Sequence, residues 1–479
     1  MAIGLLSALP YFFNSARGFF YTDDWVYLAR PGSIPPWQFW NFFVPRVVFF
    51  WRPLADWLFS IEYHLFGLNA TPFVLVSILL HLLVLGAFGW FGLLLTSRPR
   101  AVLLACALAG TNWVAVDTVS WISNQSALLA ALFSWLCLGC WLRVGSGFEA
   151  WGRFHWAALV FFVAAHLCRQ SSVCLLPALV VLSVLARRRE PATDWWLLVR
   201  RLLPFLAAAV IYVAVDRLMV IREDSRIQLQ YEFASPLLWP RNMILAFLHI
   251  STSPLGGNNQ LAHWMGTGIE SNILFLAGVG VVGVASFLSH RLRGSGSYRS
   301  LALTAVLYFP MFLFVYHHGS RYYYLAAMAM ALFGGLLADR AFEHLAKWKW
   351  KAPLLFALVA ILALNWGRLW LLTAADVRNT EWNRDIYELL AAHQQELPEA
   401  TLFILPARDQ RPSFGMNELV RFGSGRSTSQ AMFADVNFDA EFLAHLHATV
   451  EHVYFVRTGP EPDSLILVPG DKDHVLPPL

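Results

Sequence analysis

The stretch FVLVSILLHLLVLGAFGWFGLLL, residues 73–95, runs for 23 residues with His81 as its one ionisable side chain. An α-helix needs about 20 apolar residues to cross the hydrocarbon core of a bilayer. The stretch therefore predicts a transmembrane helix. Apolar runs of similar character recur along the chain and predict about eleven spans, at residues 1–13, 73–95, 101–118, 126–142, 154–167, 173–186, 202–215, 273–290, 301–316, 323–337 and 353–373.

The composition argues against a large soluble domain as the main part of the chain. Of the 479 residues, 57% are hydrophobic and 14% are charged, whereas soluble domains have about 25% charged residues. The five cysteines lie in or beside apolar runs, so they predict no disulfide framework. We therefore predict an all-α polytopic membrane protein.

The basic residues predict the orientation of the spans. Sixteen Lys and Arg residues lie in one alternate set of predicted loops, whereas the three short turns of the other set contain only Arg169 and Arg321. Short loops rich in Lys and Arg stay in the cytoplasm. We predict a multi-pass protein of the inner or plasma membrane, with a cytoplasmic N-terminus and with the loops 15–72 and 216–271 and the C-terminal tail outside, in the periplasm.

The charge changes sign near residue 375. Residues 375–479 contain 16 acidic and 8 basic side chains, a net charge of −8, while the rest of the chain has +12. This predicts a transmembrane module over 1–374 and a small extracytoplasmic α/β domain over 375–479. The stretches TLFILP, HVYFVRTG and SLILVPG predict strands of that domain, and residues 384–396 and 438–450 predict helices.

Two outer loops contain apolar segments with flanking prolines. Residues 53–67 lie in the first outer loop and residues 236–252 lie in the fourth. Both segments are apolar with scattered polar residues, so they predict helices lying in the membrane interface.

Four stretches of the sequence carry a resemblance to a known family: DD at 23–24, WRPLADWLFSIEYHLFGLNATPFVLVSILLHLL at 51–83, DTVSWISNQSALLAALFSWLCL at 117–138 and SRYYYLAAMAMALFGGLL at 320–337. In this order they resemble the membrane part of the TMTC-type O-mannosyltransferases and their bacterial relatives, which belong to the GT-C glycosyltransferase fold. A looser match at 168–185 has Arg169-Gln170 where a lysine-glutamate pair is expected, and the tetratricopeptide repeats of that family are absent after residue 375. The resemblance covers about residues 1–340.

This resemblance implies an integral-membrane inverting glycosyltransferase. Such an enzyme takes a sugar from a polyprenyl-phosphate-linked donor and transfers it to an acceptor hydroxyl, on a protein or a cell-surface glycan, on the extracytoplasmic side. It also implies that an acidic residue of the first outer loop is the catalytic base.

The residues themselves point to Asp23 and Asp24 as the catalytic pair. Ionised carboxylates at a membrane boundary are costly unless they are used or paired, and an inverting transfer needs one carboxylate as general base. Adjacent side chains point apart, so we predict a single base, and the resemblance favours Asp23. The alternative is that the pair caps an interfacial helix. Trp25 and Tyr27 are predicted to contact the sugar or the acceptor.

A departing lipid phosphate needs cationic partners, and arginine supplies planar, bidentate donors. The alternative for Arg169 and Arg321 is an anchor to lipid headgroups, and for Arg217 an ion pair with Asp216. The predicted ligands of the phosphate are the outer-facing residues Arg52, Arg169, Arg217 and Arg321.

Other polar residues are weaker candidates. Asp117, His317 and His318 are predicted to contact sugar or acceptor, although Asp117 also suits a cap of its outer turn. Glu62 and His64 are predicted to lie on a solvated helix face, and His81 in the core. No metal site and no cofactor are predicted, because adjacent histidines chelate poorly on a helix; a divalent ion is expected only if the donor is a lipid diphosphate.

A second class of function remains open. The chain is alternatively a transporter or flippase of a lipid-linked glycan, or a membrane protein of polysaccharide assembly. A transporter is expected to have inverted repeats and charges at mid-membrane depth. The charges of this chain cluster at the ends of the predicted spans instead.

Overall fold

The computed structural model describes most of the chain, and most of the predicted span 273–290 and most of the loop 216–271 lie outside the described residues. The described residues are 2–29, 31–44, 50–144, 152–187, 195–219, 239–244, five helical positions between 280 and 287, 297–312, 323–345, 351–405, 416–433, 448–458 and 465–471.

The chain folds as two compact units. Unit 1 comprises Met1–Phe13, Gln38–Leu58 and Val74–Thr373, and unit 2 comprises Asn14–Trp37, Phe59–Phe73 and Ala374–Leu479. Unit 2 therefore combines the tail with two segments of the first predicted outer loop. The predicted assignment of 1–374 as the catalytic module and 375–479 as an outer domain stays a prediction.

Helices dominate the described residues. They are α1 Ala2–Phe13, α2 Asp23–Ala29, α3 Pro53–Phe66, α4 Ala70–Thr96, α5 Pro99–Gly110, α6 Val116–Val119, α7 Gln125–Arg143, α8 Arg153–Cys168, α9 Leu175–Arg187, α10 Trp195–Met219, α11 Ser297–Phe312, α12 Tyr324–Leu345, α13 Lys351–Ala392 and α14 Met416–Ser424.

The prediction of a multi-pass membrane protein is confirmed. Within the described ranges, five helices are long and apolar enough to cross a bilayer, or six if α5 and the segment Trp113–Val119 form one bent span. The total of about eleven spans stays a prediction. Helix α3 occupies the first segment that we predicted to be interfacial, and its first residue is Pro53, whose fixed φ suits the first helical position.

The predicted span 101–118 is not one straight helix. It bends by 54° between Gly110 and Trp113. The side chain of Asn112 accepts a hydrogen bond of 3.1 Å from the N–H of Val114, as an N-cap residue does at the start of a new helix. A capping residue therefore restarts the helix inside the predicted span, and the span itself stays a prediction.

Helices α5 and α12 approach closely through small residues. A Cβ added at Gly335 would collide with the carbonyl oxygen of Ala101 and lie 2.8 Å from the N of Ala105. Small residues at such a crossing let two backbones approach within a membrane. Nearby, Arg98 forms ion pairs of 2.7 Å with Asp339 and 2.9 Å with Glu343.

The tail contains a four-stranded sheet, and the three predicted strands are confirmed. A fourth strand and helix α14 were not predicted. The predicted helix at 384–396 is instead the end of α13, and most of the predicted helix at 438–450 lies outside the described residues. The sheet order is β2-β1-β3-β4, with β1 parallel to β2 and β3, and β4 antiparallel to β3. The strands are β1 Thr401–Leu405, β2 Gln430–Phe433, β3 His452–Thr458 and β4 Leu465–Gly470.

Candidate active site

The paired aspartates are part of a tight turn in unit 2. The carbonyl of Tyr21 accepts from the N–H of Asp24 at 3.0 Å, and the N–H of Tyr21 donates to Oδ2 of Asp24 at 2.9 Å. This reciprocal pair closes a turn over Thr22 and Asp23, and helix α2 begins at Asp23. We call residues 21–24 the acidic turn.

Thr22 has an unusual backbone conformation in this turn. Its φ is +44°, a region that β-branched residues rarely adopt and that costs about 1–3 kcal/mol. The residue is 3% exposed, and within the described residues its Oγ1 has no hydrogen-bond partner. Such strain persists only when the surrounding structure fixes it.

The two aspartates have different environments. Asp24 is 1% exposed, and its Oδ2 accepts from the backbone N–H of Tyr21, which precedes α2. Asp23 is only half-buried. That only one of them is a base, and that it is Asp23, stays a prediction.

Trp25 lies in an aromatic cluster. It stacks on Tyr387 with ring centroids 5.8 Å apart, and it lies 5.6 Å from Phe20, 5.7 Å from Phe19 and 5.9 Å from Phe422. The ring of Trp25 is fully buried, so its packing does not favour the predicted contact with a sugar. That contact stays a prediction.

Tyr27 of α2 packs against α3, the helix that contains Glu62. Tyr27 stacks on Phe59 at 4.8 Å and stays half-buried. Glu62, three residues after Phe59, lies on the same helix face and is 1% exposed. The prediction of a solvated face is therefore wrong for Glu62. It is confirmed for His64, which is exposed.

Unit 1 contains a cluster of buried arginines. Arg52 and Arg169 are 9% and 6% exposed, and each directs an Nη1 atom to the same hydroxyl, that of Ser126, at 3.5 and 3.4 Å. The two Nη1 atoms are therefore at most about 7 Å apart. We call Arg52, Arg169 and Ser126 the arginine pocket.

Local sequence explains why these three residues meet. Arg52 precedes Pro53, which excludes a helical backbone at residue 52. Arg169 follows the end of α8 in an extended conformation, with φ −162° and ψ 136°. Ser126 lies in the first turn of α7. The arginine pocket thus lies where a loop, a helix end and a helix start come together.

Gln170 links the pocket to α10. Its Oε1 accepts from Nε of Arg52 at 3.0 Å, and its Nε2 donates to Oδ1 of Asp216 at 3.2 Å and to the carbonyl of Trp51 at 3.4 Å. The indole of Trp51 also stacks on Tyr212 at 5.8 Å. Sequence analysis did not single out Gln170 as a site residue.

The other predicted site residues take different positions. Asp117 is half-buried, and its backbone carbonyl accepts from Nδ2 of Asn124 at 2.8 Å. The Oδ1 atom of Asn124 in turn accepts from Nη1 of Arg169 at 3.4 Å. Arg217 is exposed in the last turn of α10. Arg321, His317 and His318 lie outside the described residues. The core position predicted for His81 is confirmed, and its Nδ1 lies 2.7 Å from the hydroxyl of Tyr324.

Three further residues of unit 2 were missed. The backbone of residues 17–20 forms hydrogen bonds with the side chains of Thr380, Asn383 and Arg384. Their spacing places them on one helix face, and polar residues at that spacing are the signal that could have found them. Among the described residues, no group of three or more His, Cys, Asp or Glu side chains could hold a metal ion.

No protein-family model matches the chain, and no curated protein matches it. Solved structures do resemble it. ArnT from Cupriavidus metallidurans bound to undecaprenyl phosphate is similar with a TM-score of 0.52 and 13% identity, over 95% of this chain and 92% of that one. The oligosaccharyltransferase of Archaeoglobus fulgidus, tethered to an acceptor peptide, is similar with a TM-score of 0.53 and 12% identity, over 95% and 68%. Both are GT-C glycosyltransferases, so the comparison supports the predicted GT-C fold.

Proposed function

We propose that the protein is an inverting membrane glycosyltransferase that moves a sugar from a polyprenyl-phosphate-linked donor to an acceptor hydroxyl on the extracytoplasmic side. The observation that carries this proposal is the arginine pocket. Two buried guanidinium groups that share one serine hydroxyl suit an anion with several acceptor oxygens, such as a phosphate.

Charge changes during the reaction give the arginine pocket its catalytic role. The phosphate of the donor is a diester with one negative charge. When the bond between the anomeric carbon and the phosphate oxygen breaks, the electron pair stays on the phosphate, which becomes a dianionic monoester. Arginines therefore stabilise the transition state more than the bound donor, which is the requirement for catalysis.

The proposal assigns the general-base step to Asp23 of the acidic turn. The acceptor oxygen attacks the anomeric carbon from the face opposite the phosphate, and its proton moves to the carboxylate of Asp23. Because a single displacement occurs, the configuration at the anomeric carbon inverts. A lipid monophosphate can be stabilised by arginines alone, so the proposal includes no metal; a lipid diphosphate donor would require a divalent ion.

Two further observations support this function. One neighbour in fold is bound to undecaprenyl phosphate and the other is tethered to an acceptor peptide, so a lipid carrier and a protein or glycan acceptor are reasonable partners for a chain of this fold. The excess of basic residues in alternate loops favours an outward-facing tail and first loop. The family named from sequence, with its mannosyl specificity, belongs to the same proposal.

The experiment is a transfer assay with purified protein. Radiolabelled monosaccharides linked to polyprenyl phosphate are the donors, and cell-envelope membranes supply the acceptor. We expect release of polyprenyl phosphate and labelled acceptor of inverted configuration, and neither from the double variant Asp23→Asn with Asp24→Asn. If the double variant is as active as the wild type, or if vesicles with the protein only move intact donor across the bilayer, the proposal is wrong.

A further inference from the structure

The backbone that leads into the acidic turn is held by side chains of α13 from the other end of the chain. Phe19 N–H donates to Oγ1 of Thr380 at 2.9 Å, and Nδ2 of Asn383 donates to the carbonyl of Phe20 at 3.3 Å. An Nη2 atom of Arg384 donates to the carbonyls of Arg17 and Gly18 at 2.8 and 3.1 Å. All of these residues belong to unit 2.

We propose that Thr380, Asn383 and Arg384 are positioning residues for the acidic turn, an inference that rests on the function proposed above. We call these three residues the α13 clamp. They act through the backbone of residues 17–20 and touch neither sugar nor phosphate in this proposal.

The α13 clamp has the geometry of a positioning device. Residues 380, 383 and 384 follow the i, i+3, i+4 spacing that places side chains on one helix face. The hydroxyl of Thr380 also donates to the carbonyl of Val377 at 2.8 Å, which fixes its rotamer while its oxygen accepts from Phe19. The guanidinium of Arg384 lies 5.4 Å from the ring centroid of Phe19, within range of a cation–π contact.

Backbone contacts fix the path of the chain, which is what the acidic turn needs. Phe20 precedes Asp23 by only three residues, so a shift at Phe20 is transmitted to the carboxylate. Thr22, with its φ of +44°, keeps that conformation only while its neighbours are held. A displacement of about 1 Å at a reacting group costs about 100-fold in rate.

The first test compares Thr380→Val with Thr380→Ser. Valine keeps the shape but cannot accept from Phe19, whereas serine keeps the hydroxyl. For Thr380→Val we expect kcat to fall about 10-fold or more while KM for the donor changes less than about twofold. Thr380→Ser should restore kcat to near the wild-type value. Hydrogen exchange of the peptide containing Phe19 should accelerate in the valine variant only.

The second test compares Arg384→Ala with Arg378→Ala. Both arginines lie on α13, but Arg378 is exposed and is not part of the α13 clamp. We expect Arg384→Ala to lower kcat, with faster exchange over residues 17–20, and Arg378→Ala to change neither. Loss of folding is recognised separately, by a lower thermal unfolding temperature of purified protein.

The outcomes separate this proposal from the proposed function. If Asp23→Asn abolishes transfer but Thr380→Val and Arg384→Ala retain wild-type kcat, the α13 clamp does not position the base and the inference is overturned. Equal kcat losses in Thr380→Val and Thr380→Ser would also overturn it. If the wild type transfers no sugar, the proposed function fails and the inference fails with it, whatever the exchange rates show.

Discussion

Replacing Arg169 by Gln should weaken the binding of polyprenyl phosphate without unfolding the protein. In the arginine pocket, Arg169 and Arg52 each lie within 3.5 Å of the hydroxyl of Ser126, so an anion that takes the place of that hydroxyl contacts both. A unit charge about 4 Å from a guanidinium gains about 4 kcal/mol at an effective dielectric constant of 20. A hydrogen bond to a charged group contributes about 1.5–3 kcal/mol.

We therefore expect a loss of about 2–4 kcal/mol, which corresponds to about 30- to 1000-fold in Kd. Arg52→Gln should have a similar effect. Arg169→Lys should lose less, because it keeps the charge and loses only the planar fork. The control is Arg143→Gln, an exposed arginine at the other end of the helix that begins near Ser126.

The assay is equilibrium binding of a radiolabelled polyprenyl phosphate to purified protein in detergent, over a range of salt concentrations. Salt screens the charges of a buried pocket only weakly. An arginine that only anchors lipid headgroups at the surface contributes less to binding as the salt concentration rises. If Arg52→Gln and Arg169→Gln both bind within about threefold of the control, or if wild-type binding disappears at high salt, the assignment of the arginine pocket is wrong.

Three other pairs of substitutions test the acidic turn and the helix packing. Asp23→Asn should lower the rate of sugar transfer by about 10²–10⁴-fold, the usual contribution of a general base. Asp24→Asn should lower this rate less, because the amide oxygen of asparagine can still accept from the N–H of Tyr21. Equal losses in the two variants would contradict the different roles of Asp23 and Asp24. The variant Thr22→Gly should be about 1 kcal/mol more stable to thermal unfolding than Thr22→Ala, because glycine adopts a positive φ without strain. An equal or lower stability of the glycine variant would contradict backbone strain at residue 22. Gly335→Ala should destabilise the protein by about 1–3 kcal/mol, because the added Cβ collides with the backbone of α5. Gly334→Ala is the control and should change stability little, because a Cβ there meets only a methyl group of Leu108 at 3.4 Å. Equal unfolding temperatures of the two variants would contradict the close approach of α5 and α12.

The sequence predicted helices better than their interruptions and contacts. The run 73–95 is apolar enough to predict α4 within three residues at either end. The break at Asn112 was missed because a capping residue inside an apolar run leaves the composition unchanged. Strand β2 was missed because QAMF is too short to show an alternation. Glu62 was assigned to solvent because glutamate is almost never fully buried unless it is paired.

The site could be predicted one residue at a time but not as an arrangement. Arg52 and Arg169 were both selected because they face outward in the predicted topology, Arg52 in the first outer loop and Arg169 in a short turn between two predicted spans. Their meeting at Ser126 depends on contacts across 74 and 43 residues of chain, which no local pattern encodes. The same holds for the α13 clamp, whose partners lie more than 360 residues away.

Gln170 stands where the sequence resemblance predicts the glutamate of a lysine-glutamate pair, and its contacts explain what an amide does at this position. Its amide accepts from Arg52 and donates to Asp216 and to the carbonyl of Trp51. An ionised glutamate carboxylate can accept hydrogen bonds but cannot donate them. A glutamate at position 170 could therefore not donate to Asp216, and its negative charge would repel that of Asp216. It would also cancel the charge of Arg52. A neutral amide keeps all three hydrogen bonds and leaves the positive charge of Arg52 in place, as the proposed phosphate site requires.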